Sequence, residues 1–476
     1  MCDSQAHDDG ATGSDRFSFQ VVPILVLPGV AGTRLRFSAW PHWDIDSTAD
    51  MLGLAAMPLR PRANHIRTSQ SATITRDLSS EADKAIPNDP DLQELAARWL
   101  AQQGRGNPYT PGAAAAVVYK ERGWGELGWG WYGPILTHLE KALNLPTKPQ
   151  IRYPVYGVGY DWRKSNFKSA QLLHQRIGEI KRENPNATHV IVVSHSMGGL
   201  VTRAAMRQFG HAEVMGIVHT VMPSAGAPQH YRRFHTGWRY GLDSTGADVH
   251  GKLVDLVFGR ILGGSNGAAY GLMMSQLKGP MELLPTPKYP SGCIFWSENG
   301  VLRSNKDVGD GIWVEYLKDA DTPAGIVPVN LAAAQDGLYL PPWMYVPITT
   351  EYITPQDRAL LRDRIRDSKD FYEQMFASET PHPNTYVVYA TGIKTDVQFD
   401  WNRPANPIES RVVQLNTGDG TVPDDSAKFK PAVETNERPG IKHSECFGDQ
   451  GFCLQVERYV RKILQRAYRK TAPPSP

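Results

Sequence analysis

Runs of apolar residues and helical repeats alternate along much of the chain. Residues 21–27 and 190–193 are almost entirely aliphatic, which is typical of strands buried on both faces of a parallel sheet. Before the second run, apolar residues recur at spacings of three and four, as at Leu173, Ile177 and Ile180, and this period indicates an amphipathic helix. The alternation predicts an α/β protein with a doubly wound, mainly parallel sheet flanked by helices.

The same patterns predict further elements of this core. Strands are expected at residues 153–160, 215–222, 384–392 and 411–416. Helices are expected near residues 91–102, 135–143, 355–377 and 452–470. The last strand runs directly into a Gly-Asp-Gly turn, and we place it in the central sheet with the others.

Two segments interrupt the alternation. Residues 36–112 are rich in Pro, Ala and Arg and, apart from one helix, irregular, which indicates a surface insertion. Residues 224–381 contain Gly-rich and Pro-rich apolar runs, with an aromatic stretch at 338–347, and indicate a cap or lid inserted between two core strands. The predicted organisation has four parts: a disordered N-terminus at 1–16, a core at 17–223 and 382–470, the cap at 224–381 and a disordered tail at 471–476.

Composition limits the classes of protein to consider. Of 476 residues, 41% are hydrophobic and 21% charged, as in soluble globular proteins, and the net charge of +2 gives no support to nucleic-acid binding. No apolar run reaches the length of about 20 residues that a transmembrane helix needs. The polar, acidic N-terminus lacks the basic start and apolar core of a secretory signal. We therefore expect synthesis in the cytoplasm and export, if any, without a cleavable signal.

Cysteine usage excludes two further classes. Four cysteines in a chain of this length do not form a disulfide framework, although one bond between Cys446 and Cys453 is conceivable. None of the four has metal-ligand spacing, so no metal site and no cofactor is predicted.

Ser196 stands in a sharp turn between the predicted strand at 190–193 and a following helix. Residues 194–198 are Ser-His-Ser-Met-Gly, which matches the nucleophile elbow G-x-S-x-G except that Ser194 replaces the first glycine. Such a turn lifts the serine hydroxyl above the sheet and points a helix N-terminus at developing negative charge. On these residues alone, an ordinary strand-to-helix turn with a buried serine stays open.

A nucleophilic serine needs an imidazole to take its proton and a carboxylate to orient that imidazole. In α/β-hydrolases the order along the chain is serine, acid, histidine, each on a loop after a core strand. Asp419 directly follows a predicted strand, whereas Asp310, in a second Gly-Asp-Gly segment, follows none and is interpreted as a turn residue. Asp424 and Asp425 are weaker candidates. The one histidine after Asp419 is His443, which completes the predicted triad.

A second glycine-containing loop follows the first predicted strand. Residues 28–32, Pro-Gly-Val-Ala-Gly, lie where α/β-hydrolases place an oxyanion donor, and we expect the backbone N–H of Val30 to be that donor. A simple strand-ending turn is the alternative.

Three tryptophans interleaved with glycine at 123–133 indicate either an apolar acyl-binding wall or a packing corner. Trp124 in this segment and Leu200 after the elbow are candidate substrate contacts.

Five motifs together resemble the α/β-hydrolase branch of lecithin:cholesterol acyltransferase and lysosomal phospholipase A2. They are Leu-Pro-Gly-Val-Ala-Gly-Thr-Arg-Leu at 27–35, Tyr-Asp-Trp-Arg at 160–163, His-Ser-Met-Gly-Gly at 195–199, Gly-Ala-Pro at 226–228 and Gly-Asp-Gly-Thr-Val-Pro at 418–423. The resemblance implies a triad of Ser196, Asp419 and His443, oxyanion N–H groups from Val30 and Met197, and a lipid acyl ester as the substrate. Its departures are the serine at the first elbow glycine and a cap that does not align.

Segments at 122–126, 219–228 and 279–285 also resemble bacterial lipase toxins delivered by type VI secretion systems. That resemblance implies a phospholipid substrate, export without a cleavable signal, and an immunity protein or secretion-system component as a partner. Apolar cap residues fit transient contact with a membrane surface. We expect a phospholipase A or lipase; the alternatives are a lipid acyltransferase, a general carboxylesterase and a non-catalytic binding module of the same fold.

Overall fold

The computed structural model describes residues 21–67, 72–106, 109–147, 150–238, 257–264, 267–313, 316, 354–376, 381–404 and 408–471. The predicted disordered N-terminus, the aromatic stretch of the cap at 338–347 and residues 472–476 of the predicted tail lie outside these ranges. Thr471, the first residue of that tail, ends the last helix.

The elements are numbered here in chain order. The described strands are β1 (Ile24–Leu27), β2 (Leu35–Phe37), β3 (Ala72–Ile74), β4 (Val155–Gly157), β5 (Val190–His195), β6 (Val214–Thr220), β7 (Ile294–Glu298), β8 (Val301–Ser304), β9 (Thr385–Thr391), β10 (Ile393–Asp400), β11 (Val412–Gly418) and β12 (Glu434–Pro439). The α-helices whose bounds the structure describes are α1 (Thr48–Ala56), α2 (Leu59–Ile66), α3 (Ser80–Ala85), α4 (Pro90–Gln102), α5 (Pro111–Glu121), α6 (Trp129–Asn144), α7 (Asn166–Glu183), α8 (Gly198–Phe209), α9 (Pro228–Thr236), α10 (Gly267–Met274), α11 (Lys278–Met281), α12 (Pro355–Phe376), α13 (Asp424–Ala427) and α14 (Gln450–Thr471).

Six strands form a parallel central sheet in the order β12-β9-β6-β5-β1-β4. Successive residues of a strand point to opposite faces, and both faces of this sheet are covered. Leu25 and Val192 share one core cluster with side chains of α7 and α8, whereas Val26 and Val193 share another with side chains of α6 and α14. The predicted doubly wound α/β-hydrolase architecture is therefore confirmed.

The strand assignment near the C-terminus is corrected by the structure in two respects. The strand predicted at 411–416 exists as β11, but it pairs antiparallel with β10 in a separate four-stranded sheet, β11-β10-β7-β8. At the edge of the central sheet lies β12, which pairs parallel with β9. The sequence of β12, Glu-Thr-Asn-Glu-Arg-Pro, is polar throughout and alternates half-buried with exposed positions, so no hydrophobic pattern identified it.

The expectation of an irregular segment at 36–112 is wrong. Besides α4, which confirms the predicted helix, the segment contains α1, α2, α3 and the antiparallel pair β2–β3. Trp43, Leu54 and Ile66 are fully buried in the same core cluster as side chains of α7 and α8. The helices α1 to α3 span fewer than three turns each, and so short a helix leaves little apolar periodicity to detect.

The described part of the predicted cap comprises α9, α10, α11, β7, β8 and α12, and α12 confirms the helix predicted at 355–377. The strands β7 and β8 of this segment form part of the second sheet. Arg232 of α9 also pairs with Asp396 of β10 at 2.8 Å, with both side chains buried. The division of the chain into core and cap stays a prediction. None of the described helices is both long enough and apolar enough to cross a membrane.

Candidate active site

Ser196 lies between the end of β5 and the start of α8. Its φ of +51° falls in the left-handed region that few residues other than glycine adopt, and its N–H donates to the Thr220 carbonyl oxygen at 2.9 Å. A Cβ at Gly198 would come within 2.4 Å of the Pro28 carbonyl oxygen, so this position requires glycine. The strained, tightly packed turn has the geometry of a nucleophile elbow.

The structure brings the side chains of Ser196, His443 and Asp419 together. Nε2 of His443 lies 2.8 Å from Oγ of Ser196, and Nδ1 of the same ring lies 2.7 Å from Oδ2 of Asp419. Both are hydrogen-bond distances. His443 begins the short 3-10 helix His443–Gly448 that precedes α14. When a hydroxyl, an imidazole and a carboxylate are hydrogen-bonded in this order, the hydroxyl proton can move onto the imidazole ring.

The turn after β11 orients the buried carboxylate of Asp419. Its Oδ1 accepts the N–H groups of Thr421 at 2.9 Å and Val422 at 2.7 Å, which leaves Oδ2 to face His443. The carbonyl oxygen of Asp419 also accepts the backbone N–H of His443 at 2.9 Å. The acid and the imidazole are thus held to each other through main chain and side chain.

Two of the three other acids that the sequence offers, Asp310 and Asp424, have surroundings that differ from those of Asp419. Asp310 belongs to the short 3-10 helix Gly309–Gly311. Asp424 opens α13, and its carboxylate pairs with the Lys428 ammonium group at 2.6 Å. Of these three aspartates, the described contacts bring only Asp419 to the imidazole of His443.

The loop after β1 lies directly against the elbow. A Cβ at Gly29 would lie 2.8 Å from Cβ of Ser196, and the indole N–H of Trp43 fixes the loop by donating to the Ala31 carbonyl oxygen at 2.8 Å. Within the described residues, the backbone N–H groups of Val30 and Met197 donate to no protein acceptor. Met197 directly precedes α8, whose N-terminus carries partial positive charge. Unpaired N–H groups beside a reactive hydroxyl are what an oxyanion hole requires.

Comparison with known protein families shows the family to which the chain belongs. The family model described as lecithin:cholesterol acyltransferase matches residues 152–437, more than half of the chain. The chain belongs to the lecithin:cholesterol acyltransferase family. Ser196 and Asp419 lie inside the matched range, and His443 lies just beyond it. The family is named for an acyltransferase.

Two individual proteins are similar to this family member. A Saccharomyces cerevisiae protein with the name "Uncharacterized protein YJR098C" is 32% identical over 92 residues, which are 19% of this chain and only 14% of the yeast protein. A chain in the crystal structure of the Tle4-Tli4 complex aligns with a TM-score of 0.64 and 18% identity, over 93% of this chain and 98% of that chain. At this identity, the second likeness shows a shared fold.

The two predicted substrate contacts of this family member differ in their placement. Trp124 is completely buried in the core cluster of α6 and α14, where its indole N–H donates to the Val155 carbonyl oxygen at 2.9 Å. It exposes no surface to a substrate, and the described contacts are those of a packing corner. Leu200 lies in the first turn of α8 and is also nearly buried, so its contact with a substrate stays a prediction.

Sequence reasoning missed His195 and Tyr132, which also contact this site. A histidine adjacent to the nucleophile in sequence cannot serve as its base, and His195 instead reaches the main chain of His443, with Nε2 3.1 Å from the carbonyl oxygen. Its Nδ1 lies 3.0 Å from the hydroxyl oxygen of Tyr132. The histidine inside the elbow motif was the available signal. No sequence signal pointed to Tyr132, because its hydrogen-bond partners lie far away along the chain.

No metal-ligand cluster appears in the described part of the chain: nowhere do three or more His, Cys, Asp and Glu side chains meet in a group that could hold an ion. Cys446 and Cys453 are buried free thiols, and burial raises the pKa of each. The disulfide that their spacing allows is not formed in this structure.

Proposed function

We propose that this protein is a serine hydrolase that cleaves the acyl esters of lipids, most specifically a phospholipase A or lipase. The observation that carries the proposal is the unbroken set of hydrogen bonds from Ser196 through His443 to Asp419, at an elbow of the kind that presents a nucleophile. Membership of the lecithin:cholesterol acyltransferase family supports the same chemistry.

In the proposed first half-reaction, Oγ of Ser196 attacks the acyl carbonyl carbon while Nε2 of His443 accepts the hydroxyl proton. The carbonyl π electrons move to oxygen, and the N–H groups of Val30 and Met197 stabilise that oxyanion, each by about 3 kcal/mol. Collapse of the tetrahedral intermediate breaks the ester bond. His443 then protonates the leaving alcohol oxygen, which leaves an acyl group on Ser196.

In the second half-reaction water takes the place of the alcohol. His443 accepts a proton from water as its oxygen attacks the acyl carbon, and it returns that proton to Oγ of Ser196 when the fatty acid departs. Asp419 keeps Nδ1 of His443 protonated and stabilises the imidazolium. If an alcohol attacks instead of water, the same steps make the protein an acyltransferase.

The lipid nature of the substrate is supported by the apolar contacts near the oxyanion loop. Val30 is a half-buried side chain packed on the core, and Phe258 of the cap lies 5.7 Å from Trp131 between ring centroids. Trp131 neighbours Tyr132, whose hydroxyl accepts the N–H of Gly29. Phe258 also lies 5.8 Å from Trp43, the side chain that fixes the oxyanion loop, so aromatic side chains of the predicted cap meet the core near that loop, which supports a site for an acyl chain.

The wider role that we propose is that of an antibacterial toxin that acts on a rival's phospholipids after export by a type VI-like route. The segments that resemble type VI lipase toxins support this proposal. The fold shared with a chain of the Tle4-Tli4 complex, a protein with a named binding partner, supports a complex with an immunity protein or a secretion-system component. Contact of the cap with the membrane surface is part of the same proposal.

The decisive experiment combines labelling with product analysis. Separate samples of wild-type protein, Ser196→Ala and the control Ser169→Ala are treated either with a fluorophosphonate probe or with phospholipids, triacylglycerol and a short-chain ester. Ser169 is a suitable control because its hydroxyl is buried with no partner among the described residues. We expect labelling and fatty-acid release from phospholipid in wild type and Ser169→Ala, and neither in Ser196→Ala.

Other outcomes identify the alternatives. Products from the short-chain ester alone would make the protein a general carboxylesterase. Acyl transfer to an added alcohol, in place of fatty-acid release, would make it an acyltransferase. A wild-type protein that is folded but neither labelled nor active would be a non-catalytic binding module.

A further inference from the structure

A chain of three hydrogen bonds runs behind the site without using any of the proposed reacting atoms. The backbone N–H of Gly29 lies 2.9 Å from the hydroxyl oxygen of Tyr132, and that oxygen lies 3.0 Å from Nδ1 of His195. Nε2 of His195 in turn lies 3.1 Å from the carbonyl oxygen of His443. These hydrogen bonds therefore connect the loop that contains Val30 with the loop that contains His443, the proposed base.

The two ends of this chain determine the direction of every hydrogen bond in it. A backbone N–H can only donate and a carbonyl oxygen can only accept. His195 must therefore donate from Nε2 to His443, and its Nδ1 is free to accept the hydroxyl hydrogen of Tyr132. The Tyr132 oxygen then accepts from the N–H of Gly29, so every donor in this set of hydrogen bonds has an acceptor.

A neutral ring at His195 is required for this arrangement. A proton on Nδ1 would leave the Tyr132 hydroxyl hydrogen without its acceptor. Burial is the main factor that lowers the pKa of His195, to about 3, and the nearby His443 ring lowers it further. The ring is thus neutral at ordinary pH. It also lies in close packing, with ring centroids 5.1 Å from His443 and 5.4 Å from Phe447.

We infer that Tyr132 and His195 are positioning residues that hold the oxyanion loop and the His443 imidazole in a fixed relation to Ser196. This inference rests on the proposed function. Tyr132 holds Gly29, whose neighbour Val30 is the proposed oxyanion donor, and His195 holds the main chain of His443. The two parts of the transition-state site must be aligned to within a fraction of an ångström, and these hydrogen bonds connect them directly.

The experiment removes each connection and then both. Tyr132→Phe deletes only the hydroxyl, and His195→Phe keeps a ring but deletes both ring hydrogen bonds. We expect each to lower kcat for a short-chain ester about 10- to 100-fold, with KM little changed because neither side chain touches the substrate. The kcat of the double variant is expected to be no lower than that of the more impaired single variant, because both substitutions break the same set of hydrogen bonds.

His195→Gln provides a test by conservative replacement. A glutamine amide can place an N–H close to the position of Nε2, so it can still donate to the His443 carbonyl oxygen. We expect it to recover a measurable part of the kcat lost in His195→Phe. Tyr119→Phe is the matched control: Tyr119 is equally buried, and its hydroxyl bonds weakly to the Leu92 carbonyl oxygen at 3.4 Å, so its kcat should equal that of wild type.

The outcomes separate this inference from the proposed function. If wild type is labelled by the fluorophosphonate and active, but Tyr132→Phe and His195→Phe keep wild-type kcat, the positioning role is wrong and the triad stands. The positioning role would also be wrong if the losses of kcat multiplied in the double variant, or if a folded His195→Gln recovered none of the kcat lost in His195→Phe. If wild type itself is neither labelled nor active, the proposed function fails first. Thermal unfolding of each variant checks that it is folded.

Discussion

The hydroxyl oxygen of Ser194 lies 2.7 Å from Nδ1 of His219 on the neighbouring strand, and both side chains are fully buried. The two residues face each other in the register of β5 with β6. Burial lowers the pKa of His219 to about 3, so the ring is neutral at ordinary pH and needs a hydrogen-bond partner rather than a counter-ion. Serine at the usual glycine of the elbow motif supplies that partner.

Ser194→Ala should therefore destabilise the fold without removing activity. The substitution leaves Nδ1 of His219 buried and unsatisfied, which costs about 1–3 kcal/mol, while alanine remains small enough for the turn. Urea denaturation measures the loss, and the ester assay should show a nearly unchanged kcat. Ser169→Ala, which removes a buried hydroxyl without a partner among the described residues, should be much less destabilising. Equal stability of the two variants would contradict the role of the Ser194–His219 pair.

Asp419→Asn should reduce kcat by about 10,000-fold, because an amide in place of Oδ2 favours the wrong tautomer of His443. KM should change little, since the ring does not bind the ground-state ester. Steady-state kinetics with a short-chain ester measures both constants. Asp424→Asn, in the same segment, removes only the partly exposed ion pair with Lys428 and should keep wild-type kcat. If the Asp424 variant lost activity and the Asp419 variant did not, the assignment of the acid would be wrong.

The alternation of strands and helices was predictable because it depends on local patterns. The aliphatic run at 190–193 and the spaced apolar residues after it mark β5 and α8, and the order serine, acid, histidine selected Asp419 and His443 from many candidates. In the structure the His443 ring lies within hydrogen-bond distance of both Ser196 and Asp419. Their catalytic roles stay predictions, but the selection needed only the order along the chain and the position of each candidate relative to a predicted strand.

Features that depend on distant contacts were not predictable. His195 is 63 positions from Tyr132 and 248 from His443, and no local spacing joins them. The polar strand β12 becomes part of the central sheet through its backbone pairing with β9, not through a hydrophobic pattern. The role of Trp124 was left open for a different reason: glycine-flanked tryptophans suit a binding wall and a buried corner equally well, and only packing distinguishes them.

Glu282→Gln should increase stability at high pH. Burial is the main factor that raises the pKa of Glu282, to about 8, and its Oε2 accepts both the backbone and side-chain N–H groups of Asn166. The unfolded chain releases this proton near pH 4.5, so between about pH 4.5 and 8 the folded state binds more protons and the unfolding free energy falls as pH rises.

The stability difference between Glu282→Gln and wild type should consequently grow from pH 5 to pH 8, by a few kcal/mol in order of magnitude. Denaturation curves at a series of pH values measure it, and comparison with wild type cancels the other titrating groups. The exposed Glu298, which pairs only loosely with Arg303, provides the surface variant Glu298→Gln, measured in the same way for comparison. A flat difference for Glu282→Gln would show that its carboxyl group is not held protonated.

Gly29→Ala should test how closely the oxyanion loop must approach the nucleophile. A Cβ there would lie 2.8 Å from Cβ of Ser196 and 3.0 Å from Nδ1 of His195, and both neighbours are held by the elbow backbone. The loop must therefore move away, which withdraws the Val30 N–H from the developing oxyanion and should lower kcat about 100- to 1,000-fold.

The matched control for this variant is Gly106→Ala, where an added Cβ meets nothing within 4 Å and activity should be unchanged. Fluorophosphonate labelling should slow in Gly29→Ala in proportion to kcat, because the phosphonyl oxygen needs the same N–H donors. Labelling at the wild-type rate with reduced ester turnover would place the defect in deacylation. Wild-type values of both would mean that the loop tolerates the displacement and that Val30 is not the donor.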